Sequence, residues 1–301
     1  MSLCFQRIFL ETIVILLFAA GFSLGFGFYI LFFSARRFEF FNLGVLCLIL
    51  GAWEILFSIP FFPNADSETL FWTRTLTIPM AFGPLFLIRF IHFFVLNERL
   101  SSTKNLFVIF GYVVPILSLV YSDFYISSAM IQNGKLHFTA GIAYDYFVIG
   151  GVCSLFYSIW IITKGFQHRR GLERVKFVYI AVGIFVWFTF IGTFTFLLRH
   201  LGLPEYNFVA PIGCALAIAI WSIGVFKIDL FELPDYEIIS DKNSLIAQAN
   251  IMILKNVDMQ TYEAARFHYR KKVIMNIVGR FTYLQVNSDL SVDEIFDRLS
   301  I

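Results

Sequence analysis

Charge is what this chain has least of. Only 15% of its residues are Asp, Glu, Lys or Arg, against about a quarter in an ordinary soluble domain. Cysteine is scarce as well. Cys4, Cys47, Cys153 and Cys214 stand far apart with no CxxC spacing, which argues against a disulfide framework and a thiolate metal site. They read as small apolar fillers. The histidines form no ligand spacing either. No P-loop, HExxH, GxSxG or Gly-rich phosphate loop occurs, so no catalytic residue and no cofactor are expected. Nucleic acid is not an expected partner.

What fills the space is apolar. The hydrophobic fraction is 58%, the mean hydropathy is +0.76, and Phe alone contributes 39 residues. Seven long apolar stretches cover 8–33, 38–62, 69–96, 105–125, 144–163, 175–198 and 206–228. About 20 such residues cross the hydrocarbon core as a helix, because each backbone polar group must be bonded within the segment. The fourth stretch is the weakest, since Ser122 and Asp123 interrupt it. The first is too long for the apolar core of a cleaved signal and stops at Arg36-Arg37, so it is expected to remain as a helix. Phe reads as filler facing lipid.

The basic residues alternate between the two sides. Arg36, Arg37, Arg99, Lys104, Lys164, Arg169, Arg170, Arg174 and Lys176 fall on one side; Arg7, Arg74, Lys135 and Arg199 fall on the other. Basic loops stay cytoplasmic, which places the N-terminus outside and the C-terminus inside a cell membrane. The external loop 122–143 contains Asn133-Gly134, a turn signal for a hairpin or cap. Gly21 and Gly25 form a GxxxG pattern, expected to serve packing within the bundle. Pro79, Pro84, Pro115 and Pro211 are expected to kink or open their helices.

Polar residues at membrane depth are the candidate functional groups. Glu54 and Arg74 lie at similar depth on the second and third spans and are expected to pair. With Trp53 and Trp72 they form a candidate signal pocket; the plainer reading is an ion pair that fixes the hairpin of the two spans. Arg89 is expected to snorkel to the headgroups, and His92 to be an interfacial hydrogen-bonding residue. Arg169, Arg170, Arg174 and Lys176 are a candidate cytoplasmic contact for lipid or a partner. The last span has no lysine at its middle for a retinal Schiff base. The spans lack the buried carboxylates of a pump, and no matched interrupted segments suggest a transporter repeat.

The order of these features resembles the seven-helix N-terminal module of bacterial sensor histidine kinases and related signalling proteins. The resemblance runs from about Phe5 to Phe231. It is carried by Asn42 through Trp53, Phe71-Trp72-Thr73-Arg74, Pro84-Leu85-Phe86-Leu87 with Phe90 and His92, Gly202-Leu203-Pro204, and Val225-Phe226-Lys227-Ile228-Asp229-Leu230-Phe231. It implies a module that receives a signal and passes it to a cytoplasmic output. The departure is the C-terminus: the stretch after Ile228 is too short for a kinase, and Phe267-His268-Tyr269-Arg270 is not a phosphoacceptor signature.

That tail still has helical order. A short helix is predicted over 245–255. Tyr262, Ala265, Tyr269, Val273, Ile277, Phe281 and Leu284 form an apolar stripe on a longer one. Ser291-Val292-Asp293-Glu294 is a capping box for a third. The sequence thus predicts an all-α membrane protein: a seven-transmembrane-helix bundle over 1–230 with a short helical cytoplasmic tail over 231–301. The expected function is a sensor or receptor-like relay through the last helix to the tail or a separate effector. The alternative is a small-solute transporter or channel-like protein. The expected partners are the lipid bilayer, a cytoplasmic signalling effector and a second copy of the chain.

Overall fold

The computed structural model describes residues 3–33, 38–62, 66–132, 135–224, 245–287 and 294. They divide into two compact units. The first is Met1–His168 with Phe177–Ile223; the second is Arg169–Lys176 with Gly224–Ile301. The turn carrying Arg169, Arg170, Arg174 and Lys176 therefore belongs to the unit that contains the tail.

The first unit is a helical bundle. Helix α1 (Leu3–Phe33) packs on α2 (Phe38–Ser58), and α2 in turn on α5 (Gly83–Leu96). Close approach of α1 and α2 uses Gly27, Gly44 and Gly51. A Cβ on Gly51 would come within 2.6 Å of the Leu24 side chain, and one on Gly44 within 2.7 Å of Leu31. The expected Gly21–Gly25 pair does not serve this contact: no atom lies within 4 Å of a Cβ built on either. GxxxG spacing signals two small residues on one face, but not what that face meets.

The third apolar stretch is broken into α3 (Asp66–Thr75), α4 (Thr77–Ala81) and α5. The breaks at Leu76 and Phe82 follow from Pro79 and Pro84, which remove two helical donors. The fourth is α6 (Ser102–Val108), a π-helical segment Ile109–Val113, and α7 (Val114–Leu119). Pro115 has no N–H for the Gly111 carbonyl, and the Tyr146 hydroxyl donates to that carbonyl instead. The span ends at Leu119, and Ser122-Asp123 lie in the turn beyond it.

A hairpin follows. Strands β1 (Ile126–Gln132) and β2 (Lys135–Ala140) pair antiparallel from Ser128↔Thr139 to Gln132↔Lys135, with a register shift between Ile126 and Ser128. The signal dipeptide Asn133-Gly134 lies outside the described residues. Helix α8 (Ile142–His168) packs on α5, and Gly165 admits the Val95 side chain. Helix α9 (Leu172–Phe190) continues as a π-helical segment Ile191–Leu197 and a short α10 (Leu198–His200). A 3-10 turn, Pro204–Val209, leads into α11 (Ala210–Ser222). Pro211 sits in the first turn of α11, where its missing N–H is harmless, so it does not kink the helix as the sequence predicts. Trp221 is buried against α9: its indole N–H donates to the Ile180 carbonyl at 3.0 Å, in space that only the missing side chain of Gly183 leaves open.

Among the described residues, six helices are long and apolar enough to cross a membrane: Ile13–Phe33, Phe40–Phe61, Asp66–Leu96, Ser102–Leu119, Ile142–His168 and Glu173–His200. The helix Tyr206–Ser222 is apolar but shorter. The end of the predicted seventh span, Val225 to Ile228, lies outside the described residues. The large exposed side chains of these helices, such as Phe18, Phe33, Phe107 and Phe185, suit a hydrocarbon solvent.

The second unit holds α12 (Leu245–Val257) and α13 (Met259–Asn287). Asp258 separates them, and its Oδ1 accepts from the Thr261 amide at 3.1 Å, capping α13. The third predicted tail helix lies outside the described residues except for Glu294.

Candidate functional site

The first unit contains a partly open cavity of about 50 Å3. Trp53 and Phe57 of α2 line it, with Leu76, Thr77, Met80 and Pro84 from the broken third span. Tyr112 comes from the π-helical segment before α7. Tyr144, Phe147, Val148, Gly151, Ser154 and Leu155 come from α8; Trp187, Ile191 and Thr195 from α9 and its π-helical continuation; Asn207 from the 3-10 turn. Both π-helical segments thus put residues in the wall. A π segment carries an extra residue per turn and is frequent at functional sites.

The wall is held by local chemistry. Gly150 allows the Tyr112 ring to lie flat on α8, since a Cβ there would meet Tyr112 Cε2 at 2.1 Å. The Tyr112 hydroxyl then donates to the Phe147 carbonyl at 2.8 Å. Thr195 donates to Asn207 Oδ1 at 2.8 Å, joining the π-helical segment to the 3-10 turn. Thr77 donates to the Arg74 carbonyl and Ser154 to that of Gly151, both at 2.6 Å. None of the lining residues carries a formal charge.

Of the four residues predicted to form a signal pocket, only Trp53 lines this cavity. Trp72 is half-buried, its ring edge-on to Phe71 at 5.3 Å. Arg74 does not pair with Glu54. Its Nη1 donates to the Tyr121 carbonyl at 2.6 Å, its Nη2 to Asp123 Oδ1 at 2.7 Å, and its Nε to the Ile126 carbonyl at 2.9 Å. The guanidinium therefore fastens the turn before β1 to α3. Glu54 is fully buried, and neither carboxyl oxygen has a hydrogen-bond partner among the described residues. The buried Ser23 hydroxyl lies beside it but off hydrogen-bonding geometry, with the Cys47 and Cys214 thiols near. Equal depth on neighbouring spans is readable from spacing; the direction each side chain takes around its helix is not.

The Arg89 Nε donates to Asn105 Oδ1 at 2.7 Å. His92 is buried and its Nδ1 lies 3.1 Å from the Glu98 carbonyl. A further ion pair, unanticipated, joins Arg199 to Asp145, with the guanidinium over the Tyr144 ring at 4.9 Å.

The four basic residues of the 169–176 turn differ in their roles. Arg174 donates to the Arg169 carbonyl at 2.6 Å and to the Val257 carbonyl, at the end of α12, at 3.1 Å. Arg169 pairs with Glu173 at 3.1 Å. Arg170 is exposed and Lys176 half-buried. Gly171, at φ +64°, turns its N–H to Asp258 Oδ2 at 2.9 Å. That bond, with the Thr261 amide and the nearby Arg174 charge, holds the Asp258 carboxyl below its ordinary titration range. Sequence reasoning missed Asp258, although an Asp just before a long helix is an N-cap signal.

No group of three His, Cys, Asp or Glu side chains that could hold a metal occurs among the described residues. No family model matches this chain, and no curated protein or solved structure matches it either.

Proposed function

We propose that the chain is a receptor-like membrane protein that crosses the bilayer seven times, with its N-terminus outside and its tail in the cytoplasm. Occupancy of the cavity is the signal, and the tail is the output, acting on a separate effector without catalysis of its own. The observation that carries this reading is α9. Its far end contributes Trp187 to the cavity wall and continues through a π-helical segment, and its first residues belong to the unit built around the tail. A one-residue change of register in a π segment rotates and shifts a helix, a discrete movement suited to transmission. The relay then has two covalent routes, the start of α9 and the chain that follows α11. The resemblance of the sequence's feature order to seven-helix sensor modules also favours this function.

Hydrogen exchange on the full chain in lipid nanodiscs tests the relay. Substitutions that change the cavity wall, such as Thr195→Val, are expected to alter protection of the Gly171 and Thr261 amides. Unchanged protection, with the cavity demonstrably altered, would count against it. One observation favours a second reading. A fully buried carboxyl at Glu54 with no hydrogen-bond partner among the described residues is a feature of proton and solute pathways. Glu54-dependent flux in proteoliposomes would select a transporter instead.

A further inference from the structure

We propose that the cavity receives an uncharged, compact, largely hydrocarbon molecule drawn from the bilayer. The proposal rests on the receptor reading and names the ligand class for that site. Its basis is how the wall disposes of its polar groups. The hydroxyl protons of Thr77, Tyr112, Ser154 and Thr195 all go to protein acceptors, at 2.6–2.8 Å. The Trp187 indole N–H is a buried donor of the lining with no hydrogen-bond partner among the described residues. A charged guest would meet no counter-charge from the lining side chains and would remain unpaired in a low dielectric.

Water is a poor occupant, since a buried water needs two to four polar partners and this wall is mostly aromatic and aliphatic. Such a surface is the kind that stays dry and takes apolar guests. At about 50 Å3 the space exceeds the need of a single water but is well below the roughly 150 Å3 of a cavity that takes benzene, so the guest is of rare-gas or small-alkane size. A ligand of this class partitions into the bilayer first, so the membrane itself concentrates it at the site. No charged recognition group is then required, which explains how a binding site can exist in a chain so poor in charge.

Xenon is the probe, followed by xenon NMR on the full chain in nanodiscs, with protein-free lipid discs as the background. Saturable binding above that background is expected, displaced by cyclopropane and not by methylammonium or formate. Gly151→Leu should abolish it, because a Cβ at Gly151 meets no atom within 4 Å and the added side chain grows into open space. Ile191→Phe is a second filling variant, and a retained thermal melt certifies the fold of whichever is used. Absence of saturable binding, or displacement by either charged compound, overturns the proposal. Amide exchange at Gly171 and Thr261 in the same samples separates the two ideas. Bound xenon with unchanged exchange sinks the relay and keeps the ligand class; exchange altered by a charged compound bound at the cavity does the reverse.

Discussion

Arg74 and Glu54 show how two ionisable side chains at similar depth reach opposite solutions. The Arg74 fork has three acceptors at 2.6–2.9 Å, and a lysine cannot reproduce that planar geometry. Arg74→Lys is expected to lower unfolding stability by about 2 kcal/mol and to open the β1–β2 hairpin to protease. Asp123→Asn should change stability by less than about 1 kcal/mol, since that carboxylate is 85% exposed. Equal losses from the two variants would contradict this division of labour. Glu54 is the reverse case, a carboxyl with no hydrogen-bond partner to lose among the described residues. Glu54→Gln is expected to leave the thermal midpoint in detergent unchanged or raised; a loss of about 2 kcal/mol or more would mean that the carboxylate has a partner. From sequence, the rarity and depth of these residues were legible. Their separation was not, because depth along a span follows from residue count while azimuth depends on how each helix is packed and broken.

The elements that shape the cavity are irregular ones. Pro79, Pro84 and Pro115 announce broken helices in the sequence, and the breaks appear at Leu76 and Phe82 and in the π-helical segment before α7. The π-helical segment Ile191–Leu197 has no proline to announce it. Its residues Thr195 and Ile191 therefore gave no signal of their place in the wall beyond one polar residue in an apolar run. Adjacent glycines on α8 give a sharp test of the packing. Gly150→Ala drives a methyl into the Tyr112 ring and should cost about 1–3 kcal/mol. Gly151→Ala has room and should be neutral or stabilising by up to about 1 kcal/mol. Thermal unfolding of the two variants in the same detergent measures the difference. Similar melts would mean that Tyr112 does not lie where the wall needs it.

At the scale of the whole molecule, the tail unit brings its own pH dependence. The Asp258 carboxyl is held low by the Gly171 and Thr261 amides. A carboxylate with a depressed value contributes its full stabilisation above the ordinary aspartate value of about 3.9 and loses it as pH falls through the lower folded value. NMR shifts of both amides should therefore titrate together, with a midpoint below that of a free aspartate. A midpoint at or above it would contradict the cap. The helix pair itself was legible in periodicity and patterning: the short helix predicted over 245–255 and the stripe from Tyr262 to Leu284 fall within the observed Leu245–Val257 and Met259–Asn287. The bond between Gly171 and Asp258 was not, because it joins residues far apart in sequence. Several apolar side chains of α13, including Phe267 at 71% and Met275 at 62%, are exposed, and they are the surface the proposed output would use.

The membrane part rests on parity. Among the described residues, six helices are long enough to cross by themselves, and the apolar helix Tyr206–Ser222 is shorter. At 1.5 Å per residue its 17 positions reach about 25 Å, a little short of the roughly 30 Å hydrocarbon core, and the apolar residues Val225 and Phe226 continue it in sequence. Reporter fusions at both ends of the chain, read for compartment in intact cells, decide the matter. Termini on opposite sides, with the tail in the cytoplasm, are expected of seven crossings. Both reporters in one compartment would contradict them and remove the path from the cavity to a cytoplasmic output.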